Sequence, residues 1–284
     1  MKINILSNPK PLFHVRALLG ALILFFFQIR IPNWRGKQAF LRFLTTFLGS
    51  LPLRSKEGIW LETLFTSSMD LSYLDPLGGG HELIREQISS LRLGDIVIDI
   101  GANTGYFSLI ASRKVGEKGK IFSFEPSPRE FIRLLTNINQ NSCSNVYPLN
   151  IAVSSEFGTA DFFIASEHTG VNSFHSTDGK PTYVENVLKM PLDFFVLNFK
   201  LDKIAILKLD VEGHELMALL GLKDLLAAGI VKKVIVEINE AFQAFSSGNT
   251  VKIYNLMYAF GYQARFGLQN IQHYDEIFYL PIKN

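Results

Sequence analysis

Val97-Ile-Asp-Ile-Gly-Ala-Asn-Thr-Gly-Tyr-Phe107 is the stretch on which the reading of the fold turns. Residues 96–100 form a continuous apolar run broken by Asp99, the pattern of a strand buried on both faces. Gly101-x-Asn103-x-Gly105 then turns it straight into a helix over 104–113. Gly101 makes the tight turn and lets backbone approach a ligand. Asn103 tolerates a positive φ. Gly105 is expected to let the helix pack close to the strand.

The glycine spacing is not the G-x-G-x-x-G of dinucleotide sites. The carboxylate of Asp99 suits a cationic amino acid moiety better than a pyrophosphate. The junction therefore favours S-adenosylmethionine over a nicotinamide dinucleotide. Glu125 lies twenty residues past Gly105, at the end of the strand expected over 120–124. An acid there can accept both hydroxyls of a ribose. Ser127-Pro128-Arg129-Glu130 reads as a capping box with proline at the first helical position.

Outward from this pair the chain alternates between helix and strand. Helices are expected over 81–91, 127–139, 212–228 and 250–260. Strands are expected over 146–151, 203–209, 233–238, 262–266 and 276–280. Such alternation implies a mostly parallel, doubly wound α/β sheet with helices on both faces. Its ligands bind beyond the carboxyl ends of the strands. Between 152 and 200 the alternation fails; 159–164 reads as a short extra strand, followed by a long loop reaching Met190.

In Ile206-Leu-Lys-Leu-Asp-Val-Glu-Gly-His-Glu215, Lys208 and Asp210 share one face of a buried strand. Glu212 and Glu215 are expected to open the next helix, and Glu237 ends the following strand. A buried lysine needs a partner, which points to Asp210 or Glu237. Asn150 and Ala152 lie where a third strand end would meet an adenine. His168, Asn172, Ser173 and His175 occupy the long loop and are weaker candidates for facing a substrate. His214 reads as a surface histidine.

The stretches VIDIGANTGYFS, FEPSP, LNIAVS (149–154), MPLDFF (190–195) and LKLDVEGHE (207–215) resemble the FkbM-type methyltransferases in order and spacing over 81–240. That resemblance implies a Rossmann-like, class I methyltransferase with a seven-stranded sheet, using S-adenosylmethionine on hydroxyls of sugars, glycolipids or polyketide-like acceptors. It assigns Asp99, Gly101, Asn103, Gly105 and Glu125 to the cofactor and Lys208, Asp210, Glu212 and Gly213 to a D-x-E-G motif. Asp210 is the candidate base, with Lys208, Glu212 and Glu237 about it. No metal motif is evident, although the same carboxylates could hold a divalent cation. The competing readings are a nicotinamide-dependent oxidoreductase on a similar sheet and a non-catalytic module recruited to a membrane.

Composition bounds the rest. The 284 residues are 48% hydrophobic and 19% charged, which excludes a disordered chain. A single cysteine excludes a disulfide scaffold and a cysteine zinc site. A net charge of +2 gives no reason to expect a nucleic acid partner. That average hides a split: residues 1–56 carry nine Lys or Arg and no Asp or Glu, leaving 19 basic against 26 acidic residues in 57–284. The chain thus divides into a basic head, 1–56, and a methyltransferase domain, 57–284. The head holds an apolar run, 17–29, too short to span a bilayer and lacking a signal-peptide cleavage site. A second segment, 40–51, has helical period. The two helices either lie at a membrane interface, keeping the enzyme cytoplasmic at the inner face, or pack on the domain.

Overall fold

The structure is a computed structural model that describes residues 11–30, 43, 47–64, 67, 70, 72–73, 82–165, 172–174, 182–238, 249–268 and 275–281. His168, His175 and most of the segment 31–46 lie outside these residues.

The alternation read from the sequence is present. After α1 (Pro11–Arg30), β1 (Leu51–Arg54) and β2 (Trp60–Thr63) come α2 (Glu82–Ser89), β3 (Ile96–Ile100), α3 (Tyr106–Val115), β4 (Lys120–Phe124), α4 (Pro128–Gln140) and β5 (Val146–Leu149). Then follow β6 (Ala152–Val153), β7 (Gly158–Ala165), β8 (Thr182–Met190), α5 (Leu192–Asn198) and β9 (Ile206–Leu209). The chain continues through α6 (Glu215–Leu220), α7 (Lys223–Ala227), β10 (Lys233–Glu237), α8 (Asn249–Ala259), β11 (Gln263–Ala264) and β12 (Asp275–Tyr279).

Seven strands form the main sheet, in the order β11-β12-β10-β9-β3-β4-β5. The five from β10 to β5 are parallel, and β12 and β11 pair antiparallel. Strand order reverses at β3, whose neighbours are β4 and β9, so a crevice opens at its carboxyl end. Alternation along the strands builds two cores. Ile98, Ile100, Leu207, Leu209, Val234 and Val236 pack with residues of α5, α6, α7 and α8. Val97, Ile121, Ile206 and Ile235 pack on the other face with residues of α2, α3 and α4. The fold is the Rossmann-like α/β class expected, with helices on both faces.

Three local expectations are corrected. Residues 182–190 are a strand, not a loop: β8 pairs along its length with β7 in a three-stranded sheet, β6-β8-β7. Exposed Tyr183, Val184 and Leu188 disguise it as irregular chain. The helix expected over 212–228 is two helices, and Glu212 precedes both at φ +49°. The break falls at Gly221, where an added Cβ would meet the Ser154 carbonyl oxygen at 1.9 Å. Asp193 then accepts the Asp224 and Leu225 amides and starts α7. The strand expected over 146–151 stops at Leu149 because Asn150 turns inward to brace two carbonyls, described below.

The head is partly packed. One face of α1 meets the β1–β2 hairpin: Phe13 stacks edge-on with Trp60 at 5.1 Å, and Arg16 bonds the Ser50 carbonyl and Glu62. Gly20 sits against Leu51 and Leu53. The hairpin in turn docks on α4, whose Asn137 and Asn141 side chains accept the Glu62 and Trp60 amides. Among the described residues no helix is long and apolar enough to cross a membrane.

Candidate functional site

Beyond the end of β3 lies an open pocket lined by Gly101, Asn103, Glu125, Pro126, Glu130, Asp210 and Glu212 among others. Its base depends on two backbones meeting. Gly101 has φ +80°, and a Cβ there would stand 1.7 Å from the Asp210 carbonyl oxygen, so only glycine lets the β3 and β9 ends converge. Asn103 takes the positive φ expected of it, +50°. Gly105 clears Leu134 of α4, not strand β3: a Cβ would meet the Leu134 side chain at 2.4 Å.

Glu125 holds this loop in place. Its two carboxylate oxygens accept the Asn103 and Ser127 amides, each at 2.8 Å. The Ser127 amide is therefore taken, and the capping box is one-sided: Ser127 Oγ accepts from the Glu130 amide, while the Glu130 carboxylate turns to Arg129 (2.6 Å) and Arg133 (2.7 Å). Each Glu125 oxygen has acceptor capacity beyond the amide it holds, and the residue lines the pocket. Burial pushes the Glu125 carboxyl up to about 8.

Asp99 lies beneath the pocket and not on its lining. It is fully buried, its Oδ2 accepts from Ser108 at 2.6 Å, and Oδ1 has no partner among the described residues. Burial raises this carboxyl despite Lys208 and the Ser108 hydroxyl. Asn150 is likewise a brace, donating to the Glu125 and Pro126 carbonyls at 2.8 and 2.9 Å. Its neighbours Ile151 and Ala152 line the pocket.

At the opposite wall stands Asp210, its Oδ2 2.6 Å from Lys208 Nζ. Burial works against the Lys208 charge, but Asp210, Asp99 and Glu237 outweigh it and hold the ammonium above the ordinary lysine value. Glu212 lines the pocket, whereas Glu237 stands behind Asp210 at the end of β10. Glu215 accepts the Gly213 amide at 2.9 Å, and burial pushes it up to about 7.

Several lining residues escaped the sequence reading. Phe162 of β7 and Phe174 close the pocket from the three-stranded sheet, their rings 5.0 Å apart. Asn172, one of the loop candidates named from the sequence, lines it too, while Ser173 exchanges backbone bonds with Phe163. His214 is not a surface histidine: its ring lies 4.2 Å from that of Phe174, and Nε2 is 3.0 Å from Ser154 Oγ. Alternation within β7 was the one signal that could have exposed Phe162.

Residues 99–264 match the model of the methyltransferase FkbM domain. The hexuronic acid methyltransferase AglP of Haloferax volcanii is 33% identical over 165 residues, 57% of this chain and 64% of that protein. The alignment therefore spans less than two thirds of that relative. The methyltransferase sdnD of Sordaria araneosa is 28% identical over 179 residues, 53% of this chain and 68% of its own. Among solved structures, an FkbM methyltransferase from Methylobacillus flagellatus is similar with a TM-score of 0.47 and 15% identity, covering 77% of this chain and 54% of its own. The chain belongs to the FkbM methyltransferase family and carries its S-adenosylmethionine-dependent methyltransferase domain.

Proposed function

We propose that the chain O-methylates a sugar, with Glu125 receiving the ribose hydroxyls of S-adenosylmethionine and Asp210 deprotonating an acceptor hydroxyl. The observation that carries this reading is the placement of both carboxylates on one pocket, about the Gly101–Gly105 turn. The fit to the cofactor rests on Glu125, which lines the pocket and has acceptor capacity beyond the two amides it holds. When bound, the cofactor supplies an electrophilic methyl group whose sulfur leaves as a neutral thioether. Positioning supplies most of the rate, and a carboxylate base adds about 100-fold or more. Lys208 Nζ holds Asp210 Oδ2 at 2.6 Å, and Glu212 and Glu237 stand about it. The hexuronic acid acceptor of the AglP relative supports a carbohydrate over a polyketide.

The test is transfer of labelled methyl from S-adenosylmethionine to uronic-acid oligosaccharides. An alkali-stable methyl ether, with Asp210→Asn slowed about 100-fold and binding cofactor normally, is expected. An alkali-labile methyl ester would show that a carboxylate, needing no base, is the acceptor oxygen. Full turnover in Asp210→Asn would remove the base.

A second reading concerns the head: we propose that α1 seats the domain on an anionic membrane surface without crossing it. While Phe13, Arg16, Ala17 and Gly20 face the hairpin, Leu12, Val15, Leu18, Leu19 and Leu22 form an exposed apolar stripe. Residues 1–56 carry nine Lys or Arg and no acid, and although Arg16 is paired with Glu62, charges near the surface complement anionic headgroups at up to about 1 kcal/mol each. Flotation of the full chain with phosphatidylserine vesicles is expected to succeed in low salt and fail for Leu18→Glu/Leu22→Glu. A chain that stays with the protein fraction, or that dimerises through this stripe instead, would overturn the reading.

A further inference from the structure

Strand register sets four carboxyl groups and a lysine along one face of the sheet. Asp99 of β3 pairs with Lys208 of β9, and Lys208 pairs with Ile235 of β10. Two residues on, Asp210 and Glu237 therefore follow side by side. Glu237 pairs in turn with Asp275, the first residue of β12. Because β12 runs antiparallel, its start reaches the edge at which β9 and β10 end. Tyr73, stacked on Tyr106 of α3 at 4.4 Å, covers this row, and its phenol feels Lys208, Asp210, Asp70 and Glu237.

Lys208 is the cation that this row contains among the described residues, and its Nζ is committed to Asp210 Oδ2 at 2.6 Å. The register sets the Asp210 and Glu237 carboxyl groups next to each other, where a hydrogen bond between them can form. Two ionised carboxylates repel and have no hydrogen to share, so such a bond requires that one keep its proton. Lys208 decides which. Its ammonium favours the charged form of Asp210, while Glu237 stands between two further acids, Asp210 and Asp275. Consistently, the Asp210 charge and burial both drive the Glu237 carboxyl upward, and burial lifts Asp275 to about 6.

We propose that Glu237 is a positioning residue: it keeps its proton and donates that O–H to Asp210, which Lys208 grips from the other side. Asp210 then enters the pocket ionised and in one orientation. The acceptor's proton passes to Asp210 and on to solvent once product leaves, and Glu237 retains its own throughout. The inference rests on Asp210 being the base, but its first test does not.

Infrared difference spectra of the full chain at pH 7, wild type minus Glu237→Gln, are expected to show the carbonyl stretch of one protonated carboxyl. A difference spectrum showing only ionised carboxylate would overturn the proposal. In methyl transfer to uronic-acid oligosaccharides, Glu237→Ala should lower kcat at least tenfold with little change in cofactor KM. Glu237→Gln, which still presents a donor to Asp210, should recover most of that loss. If Glu237→Gln falls as far as Asp210→Asn, Glu237 works as an ionised base and the positioning role fails. Absence of transfer by the wild type would count against the acceptor reading alone, leaving the infrared result to decide on Glu237.

Discussion

Glu125 shows what one side chain can carry. It closes the turn after β3, begins α4 by holding the Ser127 amide, and faces the pocket. Removing one partner from a charged hydrogen bond costs about 1.5–3 kcal/mol, so Glu125→Ala should weaken S-adenosylhomocysteine binding at least tenfold by calorimetry. The pH dependence has a definite sign. Burial lifts the Glu125 carboxyl to about 8, which disfavours the charged form in the free protein. Hydroxyls donate best to the ionised form, so affinity should rise as pH increases through 8. The part of that rise due to Glu125 should be absent from Glu125→Gln, in which only the ligand's own amine still titrates. At this scale the sequence was informative wherever chemistry is local. The strand–turn–helix at 96–107 and the alternation of Lys208 with Asp210 are each contained within a short stretch of consecutive residues. Asp275 was not legible, because only the antiparallel register of β12 brings it to Glu237. His214 was misread because Phe174 and Ser154, which hold it, lie 40 and 60 residues away in the sequence.

Among the elements, the β1–β2 hairpin is held by side chains that no pattern announces. β2 leaves backbone donors on its outer edge, and α4 satisfies them: Asn137 Oδ1 accepts the Glu62 amide at 2.8 Å while its Nδ2 donates to the Thr104 carbonyl at 2.8 Å. Arg133 bonds the Glu62 carbonyl, Glu130 and Asp70, and Gln140 reaches the Glu62 carboxylate. Asn137 is fully buried, so Asn137→Ala strands two polar groups at roughly 1–3 kcal/mol each. Urea unfolding should show a loss of about 2–4 kcal/mol. An unchanged midpoint would mean that water replaces both bonds and that Arg133 alone fixes the hairpin. The periodicity of 127–139 correctly gives a helix, but it marks asparagine only as a polar position. Strand β8 was lost for the opposite reason: its large side chains face outward, and its partner β7 lies beyond a long connection.

For the whole molecule, the order of elements was legible because buried parallel strands read as short apolar runs with a single charged interruption, Asp99 in 96–100 and Lys208 in 206–209. The location of the site followed from the reversal of strand order at β3. What did not follow was the roof, since 152–190 departs from the βα rhythm. That departure has its own logic. β6 and β8 run parallel, with Val153 beside Met190, so the chain leaves the core and returns to it at adjacent points. Everything between is topologically a self-contained cassette, yet it supplies Phe162, Asn172 and Phe174 to the pocket. Segments whose ends lie together can be exchanged with little disturbance to what they are inserted into. Lineages that share the row from Asp99 to Asp275 can therefore diversify the ceiling of the pocket by replacing one contiguous stretch of gene, leaving the proton chemistry of the floor untouched.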